Sequence, residues 1–433
     1  FYCGGNEFDP DNVGSKFVVD SLENILKNLD PSREFHRASP YMGDDHYWGV
    51  WHGIEPYTNY RVVRPFRSEA GINTFPLLDN YRRFTPEEYQ WPLDKLYIEY
   101  RGERNPTFNH FFKLMRYADE FGPSKSIEEF VMKSQLYQAI GNKFNMEFCR
   151  ANKFKNSGLL YWQYNDIWPV ISWAFVDWYG TPKPCYYWVM SASRPIHISA
   201  DYEKYVWAPG EEFNADIYLL NDTYEKTELL TYEAKLFDVN GNVINKISGR
   251  ASVEANSSKK IDNISRNIHT KAHGKSMILS VRLFDSGGLI SESVYPIACD
   301  DILKAEGHDI KLSDWDKYYG IFKEMNKMPE VKLNVELSKK SININDDMNK
   351  LTMELKNPTD KLAFFTGIKL DQLPDEIFAF YSDNYFTLLP GDARKVEIKL
   401  QNIGGISESR EANFVIYGWN IEEKKIPFKI EVK

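Results

Sequence analysis

The sequence predicts a multidomain chain: a parallel α/β unit over residues 1–195, an antiparallel β-sandwich over 196–300, a charged connector over 301–330 and a second all-β unit over 331–433. Three observations carry this. In the first part, amphipathic helical runs alternate with short apolar runs, the pattern of a parallel sheet with crossover helices. Near Pro195 the texture changes to alternating strands separated by turns of Gly, Pro, Asn and Asp. A length of 433 residues also exceeds what one hydrophobic core organises.

In VGSKFVVDSLENILKNLDP, Val18, Leu22, Ile25, Leu26 and Leu29 recur at helical spacing, and Pro31 follows the end. FRSEAG at 66–71 reads as a buried strand. Ser126 and Glu129 form a capping-box pattern, and Leu136, Ile140, Phe144 and Phe148 then recur every four residues. GLLYWQYND at 158–166 reads as another buried strand. From Ile196 onward, APGEEFNADIYLL, TYEAKLFDVNGNVINKI and SMILSVRLFDSGGLISESVYPI alternate in period two, and Asn240-Gly241 is a hairpin signal. Together these predict a sandwich of immunoglobulin-like size. Residues 301–330 read as a charged, partly helical connector. KLTMELKN, YFTLLP, RKVEIKLQ and ANFVIYGW then supply strands for a second sandwich.

Composition excludes several classes of function. A net charge of -9 argues against a nucleic-acid partner, which needs a basic face. No stretch approaches the roughly 20 apolar residues that cross a bilayer, so no membrane partner is expected. No leader segment is visible. The compartment stays open, and the abundance of Lys, Asn and Ile points faintly to a bacterial cytoplasm or periplasm. Cys3, Cys149, Cys185 and Cys299 match neither a zinc pattern nor a disulfide framework and read as buried free thiols. His46 and His52 lie close together without carboxylates at helical spacing, so no metal site is expected, and no phosphate loop or other cofactor motif is present. Asn221, Asn256 and Asn263 start Asn-x-Ser/Thr triplets, which do not by themselves establish secretion. The aromatic content of 15% suits large cores or sugar-facing surfaces, since flat rings match the C–H faces of sugars. Most rings, Trp173 and Trp178 among them, are expected in cores.

Two carboxylates stand out. Glu7 closes the small, apolar string FYCGGNE, and Glu69 lies inside PFRSEAGINTFP. A glutamate inside an apolar strand is costly unless it is hydrogen-bonded or used. Two of them in aromatic, glycine-rich settings suggest a paired-carboxylate site.

GGNE at 4–7, SEAG at 68–71 followed by FP at 75–76, and the block from Gly158 to Tyr187 resemble glycoside hydrolase family 2. HYWGVWHG at 46–53 and FYSDNYFTLLPG at 380–391 resemble its β-mannosidase branch, and the blocks occur in the family's order. The resemblance implies that residues 1–195 are the C-terminal half of a (β/α)8 barrel, entered at its fourth strand. The two sandwiches would follow it, and the front half of the protein would be missing. It further implies Glu7 as general acid/base with a raised pKa, Glu69 as nucleophile, and Asn6 on the substrate 2-hydroxyl. Trp162 would be the platform under the sugar ring. Asn165 and Asp166 would follow on the loop, with Asp166 either touching sugar hydroxyls or capping the turn. His46, Tyr47 and Trp48 would lie near the nucleophile, a Tyr47 hydroxyl donating to Glu69. Arg101 or Asn105 would line the leaving-group side.

One departure bears on the substrate. β-Mannosidases of this family carry an aromatic residue after the nucleophile, and here it is Ala70. The small residue brings exo-β-D-glucosaminidases into view, while HYWGVWHG favours a terminal β-D-mannoside as substrate. Two other readings stay open: a catalytically silent fragment, whose partner would be the missing N-terminal half, and a carbohydrate-binding scaffold. The scaffold would have no need of a carboxylate pair inside a barrel.

Overall fold

The computed structural model describes residues 1–102, 110–300, 318–344, 349–371, 373, 376–404 and 408–432. Its first part is built from short parallel strands with helices between them. Strand β1 (Tyr2–Cys3) pairs in parallel with β2 (Phe35–His36), and Asn6 bridges to Ser39 beyond their ends. Between them runs α1 (Val13–Leu29), N-capped by Asn12, whose side chain accepts the N–H of Gly14. Of its apolar residues Val19 is buried, whereas Val18, Leu22, Ile25 and Leu29 lie exposed. Strand β3 (Asp44–His46) pairs in parallel with β4 (Phe66–Glu69), and a short helix, α2 (Trp48–Trp51), follows β3. The segment from Gly158 to Trp162 runs alongside β4: Arg67 donates to Gly158, Leu160 to Arg67, and Trp162 to Ala70. It forms a bridge at Leu159 rather than a full strand.

Helices α3 (Leu78–Phe84), α4 (Lys95–Arg101), α5 (His110–Asp119), α6 (Ile127–Ala151) and α7 (Pro184–Ala192) complete this part. Ser126 caps α6 by accepting the N–H of Glu129. The four-residue apolar repeat of α6 is buried along its length, with Leu136 at 0% and Phe148 at 6% exposure. Trp173 is in the core as expected; Trp178 is not, being 49% exposed. Asp177 turns the chain back at this point by accepting the N–H groups of Tyr179 and Thr181, which leaves the intervening indole on the surface.

Residues 196–299 form a sandwich. A three-stranded sheet (Ser257–Asn267, Glu212–Asn221, Ile196–Asp201) faces a five-stranded one (Val206–Trp207, Gly288–Cys299, Lys275–Asp285, Leu230–Asp238, Val243–Ala251). The Asn240-Gly241 turn joins the last two strands, with Gly241 at φ +85°. The second all-β unit packs a four-stranded sheet on a five-stranded one around its own core of Met353, Ile398, Phe414 and neighbours. Residues 301–317 of the expected connector lie outside the described residues.

The α/β part and the first sandwich are locked by a buried polar knot. Glu147 on α6 binds Lys143 at 3.0 Å, His197 at 2.9 Å, Ser293 at 2.6 Å and Tyr295 at 2.8 Å. Burial opposes its ionisation, but Lys143, His197 and Ser293 outweigh that and hold the carboxyl at about 2. The second sandwich is tied in by Trp188, whose indole donates to the carbonyl of Tyr385 at 2.8 Å, and by Arg394, which bridges Glu292 and Asp383.

Candidate active site

Glu7 follows β1 and has a left-handed backbone, φ 55°, which is uncommon outside glycine and clusters at functional positions. Its N–H donates to the carbonyl of Ser39 at 2.7 Å, which fixes the turn that presents the carboxylate. Glu69 ends β4. His46 ends the neighbouring β3, and register pairs it with Glu69. The Nδ1 of His46 lies 3.0 Å from Glu7 and 3.4 Å from Glu69. One oxygen of each carboxylate and this nitrogen all sit within 4.8 Å of one another. Three short strands thus bring together residues far apart in sequence.

Behind this group is a support that sequence reading missed. Ser39 donates to Asp44 at 2.6 Å, lies 3.0 Å from His46 Nε2 and 2.9 Å from Ser68 Oγ. Asp44 also accepts the N–H of Ser68 at 3.1 Å and that of Asp45 at 2.8 Å. Burial disfavours the Asp44 anion, yet the hydrogen bonds from Ser39 and Ser68 hold it below the usual carboxylate range. Asp44 and Ser39 therefore anchor the histidine that joins the two glutamates. The available signal was position alone, since Asp44 stands two residues before the HYWGVWHG block.

Glu69 is raised above the ordinary carboxylate range. Burial is the first cause; His46 pulls the other way, the charges of Glu7 and Asp44 push up again, and a hydrogen bond from Asn6 steadies the anion. Asn6 therefore touches the carboxylate of Glu69 and stands beside the site.

The remaining expected residues divide. Trp162 is 42% exposed at the end of the segment beside β4, and Trp48 is 47% exposed with its ring edge on His46 at 6.0 Å. Trp48 thus meets the histidine between the carboxylates, and Trp162 stands beside the end of β4, its backbone N–H donating to the carbonyl of Ala70. Asn165 is exposed on the following loop and donates to the carbonyl of Asp166. Asp166 turns away from the expected sugar side: it is 4% exposed and accepts from Ser172 and Gln163, so it holds the loop together. His46 is likewise buried, at 5% exposure, and links the carboxylates rather than facing a ligand. The Tyr47 hydroxyl donates to Glu55 at 2.7 Å and not to Glu69; only its backbone N–H meets the Glu69 carbonyl, at 3.3 Å. Tyr47 follows β3 on the opposite side from His46, which sends its ring toward Tyr60 and Arg67. Arg101 is engaged at the rim, its guanidinium near Trp168 and donating to the carbonyl of Pro169. Asn105 lies outside the described residues.

Gly71, just past the nucleophile candidate, is fully enclosed. A Cβ there would run into the carbonyl oxygen of Trp162 and press on Trp51 and Trp173. Ala70 is fully buried, so its size is set by packing. The group of Glu7, His46 and Glu69 has the spacing of a cation site, with His46 Nδ1 already hydrogen-bonded to Glu7.

Comparison with known proteins gives a consistent set of likenesses. Residues 214–297 match the mannosidase Ig/CBM-like domain and residues 314–421 the exo-β-D-glucosaminidase Ig-fold domain. β-Mannosidase B of Aspergillus clavatus is 23% identical over 406 residues, covering 87% of this chain and 43% of that protein. β-Mannosidase B of Aspergillus flavus is 25% identical over 299 residues, covering 63% of this chain and 34% of that protein. The chain thus spans less than half the length of these curated relatives. Among solved structures, β-D-mannosidase from Dictyoglomus thermophilum superposes with a TM-score of 0.73 at 22% identity, covering 97% of this chain and 48% of that one. The exo-chitosanase of Amycolatopsis orientalis gives 0.72 at 18% identity, covering 98% and 51%. These structural likenesses establish the fold.

Proposed function

We propose that this chain, a β-mannosidase-like chain of glycoside hydrolase family 2, carries the two catalytic carboxylates of a retaining exo-β-glycosidase acting on terminal β-D-mannosides. Residues 1–195 are on this reading the C-terminal half of a (β/α)8 barrel, with both glutamates at the C-terminal ends of its strands. The observation that carries it is the convergence of Glu7, His46 and Glu69 within 4.8 Å. Retaining enzymes hold their carboxyl groups about 5–5.5 Å apart, close enough for one to attack the sugar while the other serves the leaving oxygen.

In the first step an oxygen of Glu69 attacks the anomeric carbon. The bond to the leaving oxygen breaks, and that oxygen takes the proton of Glu7. In the second step Glu7 accepts a proton from water, the water oxygen bonds to the anomeric carbon, and Glu69 is released. The contact of His46 Nδ1 with Glu7 at 3.0 Å, and its position 3.4 Å from Glu69, support these roles by holding the two carboxylates on one site. Asn6, which hydrogen-bonds Glu69, would on this reading meet the hydroxyl next to the anomeric carbon.

A second reading, an exo-β-D-glucosaminidase, is favoured by Ala70 and by the match of residues 314–421. An aryl β-glycoside panel separates the two: mannoside turnover supports the first, glucosaminide turnover the second. Glu69→Ala should abolish either, with partial rescue by azide.

A further inference from the structure

A cleft opens where the α/β part meets the C-terminal sandwich. Its volume is about 580 Å³, within the range of small-ligand sites, and none of Glu7, His46, Glu69 or Trp162 lines it. One wall is α3 with the turn 177–182; the other is the strands Ala363–Leu370 and Ile377–Tyr381. The turn is rigid. Asp177 accepts the N–H groups of Tyr179 and Thr181, both at 3.0 Å, and that of Gly180 through its carbonyl at 2.9 Å. Asn80 clamps the turn from α3, donating to Asp177 at 2.7 Å and to Thr181 at 2.8 Å. Gly180, at φ +78°, lies so close to the ring of Phe378 that no side chain fits between them. This brace holds up Trp178, whose indole is 49% exposed. Carried on this braced turn, the ring offers the cleft an open apolar face on which a ligand's C–H surface could stack.

The polar lining narrows what can cover it. Arg83 lies over the ring of Tyr179 at 3.7 Å, Lys369 pairs with Asp79 at 2.5 Å, and Asp371 accepts from Asn413. Two cations and two anions line the walls, so the cleft has no net preference for a charged ligand. Planar carboxylate, amide and guanidinium edges beside a flat aromatic face suit a polyhydroxylated, uncharged molecule. We propose that this cleft is a non-catalytic binding site for a neutral oligosaccharide, with Trp178 as its stacking platform. The proposal stands apart from the catalytic reading of Glu7 and Glu69.

The test is calorimetric titration of the Glu69→Gln protein with β-1,4-mannotetraose and cellotetraose at millimolar concentration. Trp178→Ala should weaken one binding event by about tenfold or more. Asp79→Asn with Lys369→Met, both near the surface, should weaken the same event, and matched melting curves will show that these variants fold. Trp162→Ala should leave that event intact. Identical titrations with and without Trp178, or loss of all binding in Trp162→Ala, would overturn the proposal. If the catalytic reading alone fails, the Trp178-dependent event persists without any event that depends on Trp162.

Discussion

The Nδ1 of His46 lies 3.0 Å from the carboxylate of Glu7. The same nitrogen is 3.4 Å from Glu69, so a single buried ring spans the two carboxylates proposed to carry the chemistry. Its far side is held by Ser39 and, through it, by Asp44. The consequences can be measured.

Burial raises Glu69 and His46 counters the rise. On the proposed reading Glu69 is the nucleophile and must be ionised, so kcat/KM should fall on the acid side as Glu69 takes a proton. His46→Phe removes the counteracting group, and the acid limb of the kcat/KM profile should move to higher pH. An acid limb that stays in place would show that His46 does not tune Glu69.

A carboxyl raised on folding binds protons more tightly in the native state. Its contribution to stability is complete below the unfolded value and is lost as pH rises through the folded one. Glu69→Gln should therefore raise the melting temperature at pH 7 and have little effect at pH 4. Calorimetry at both pH values checks this, and equal shifts would contradict it.

Glu147 has the opposite sign. Held at about 2, it stabilises the fold above its unfolded value, and that stability is lost as pH falls through the interval down to about 2. Glu147→Ala leaves Lys143 and His197 buried without their anion and should cost about 3–5 kcal/mol in urea unfolding. The variant should also lose less of its remaining stability than the parent between pH 5 and pH 3.

Gly71→Ala adds one methyl group where the carbonyl of Trp162 already stands. The end of the segment beside β4 must shift relative to Glu69. A displacement on the order of 1 Å at a reacting centre costs about 100-fold, and kcat/KM should fall by about that factor while the protein stays folded. Tyr47→Phe makes the contrast: its hydroxyl serves Glu55, so the acid limb set by Glu69 should not move.

The strands and the helix α6 could be read from the sequence because their signals are local. The α6 repeat of Leu136, Ile140, Phe144 and Phe148 is a buried face, and Asn240-Gly241 makes its turn. Glu7 and Glu69 could be singled out because a carboxylate in an apolar strand is anomalous wherever it occurs. What could not be read was orientation and register. Tyr47 and His46 are neighbours, yet where β3 ends the His46 ring meets the carboxylates and the Tyr47 hydroxyl meets Glu55. Asp166 has the chemistry of a sugar ligand but is committed to Ser172, a partner fixed only once the loop folds back. Trp178 was expected in the core because large rings go there, and the turn of Asp177 holds it out. Ser39 and Asp44 have ordinary sequence surroundings; their role depends on which strand β3 pairs with.

The most direct test of the account is covalent trapping. The protein is incubated with a 2-deoxy-2-fluoro-β-mannoside bearing a good leaving group, digested, and mapped by mass spectrometry. A double displacement through Glu69 predicts a fluoroglycosyl adduct on the peptide that contains Glu69, formed in step with loss of activity and absent from Glu69→Gln. An adduct on a different residue, or turnover with inversion at the anomeric carbon and no adduct, would contradict it.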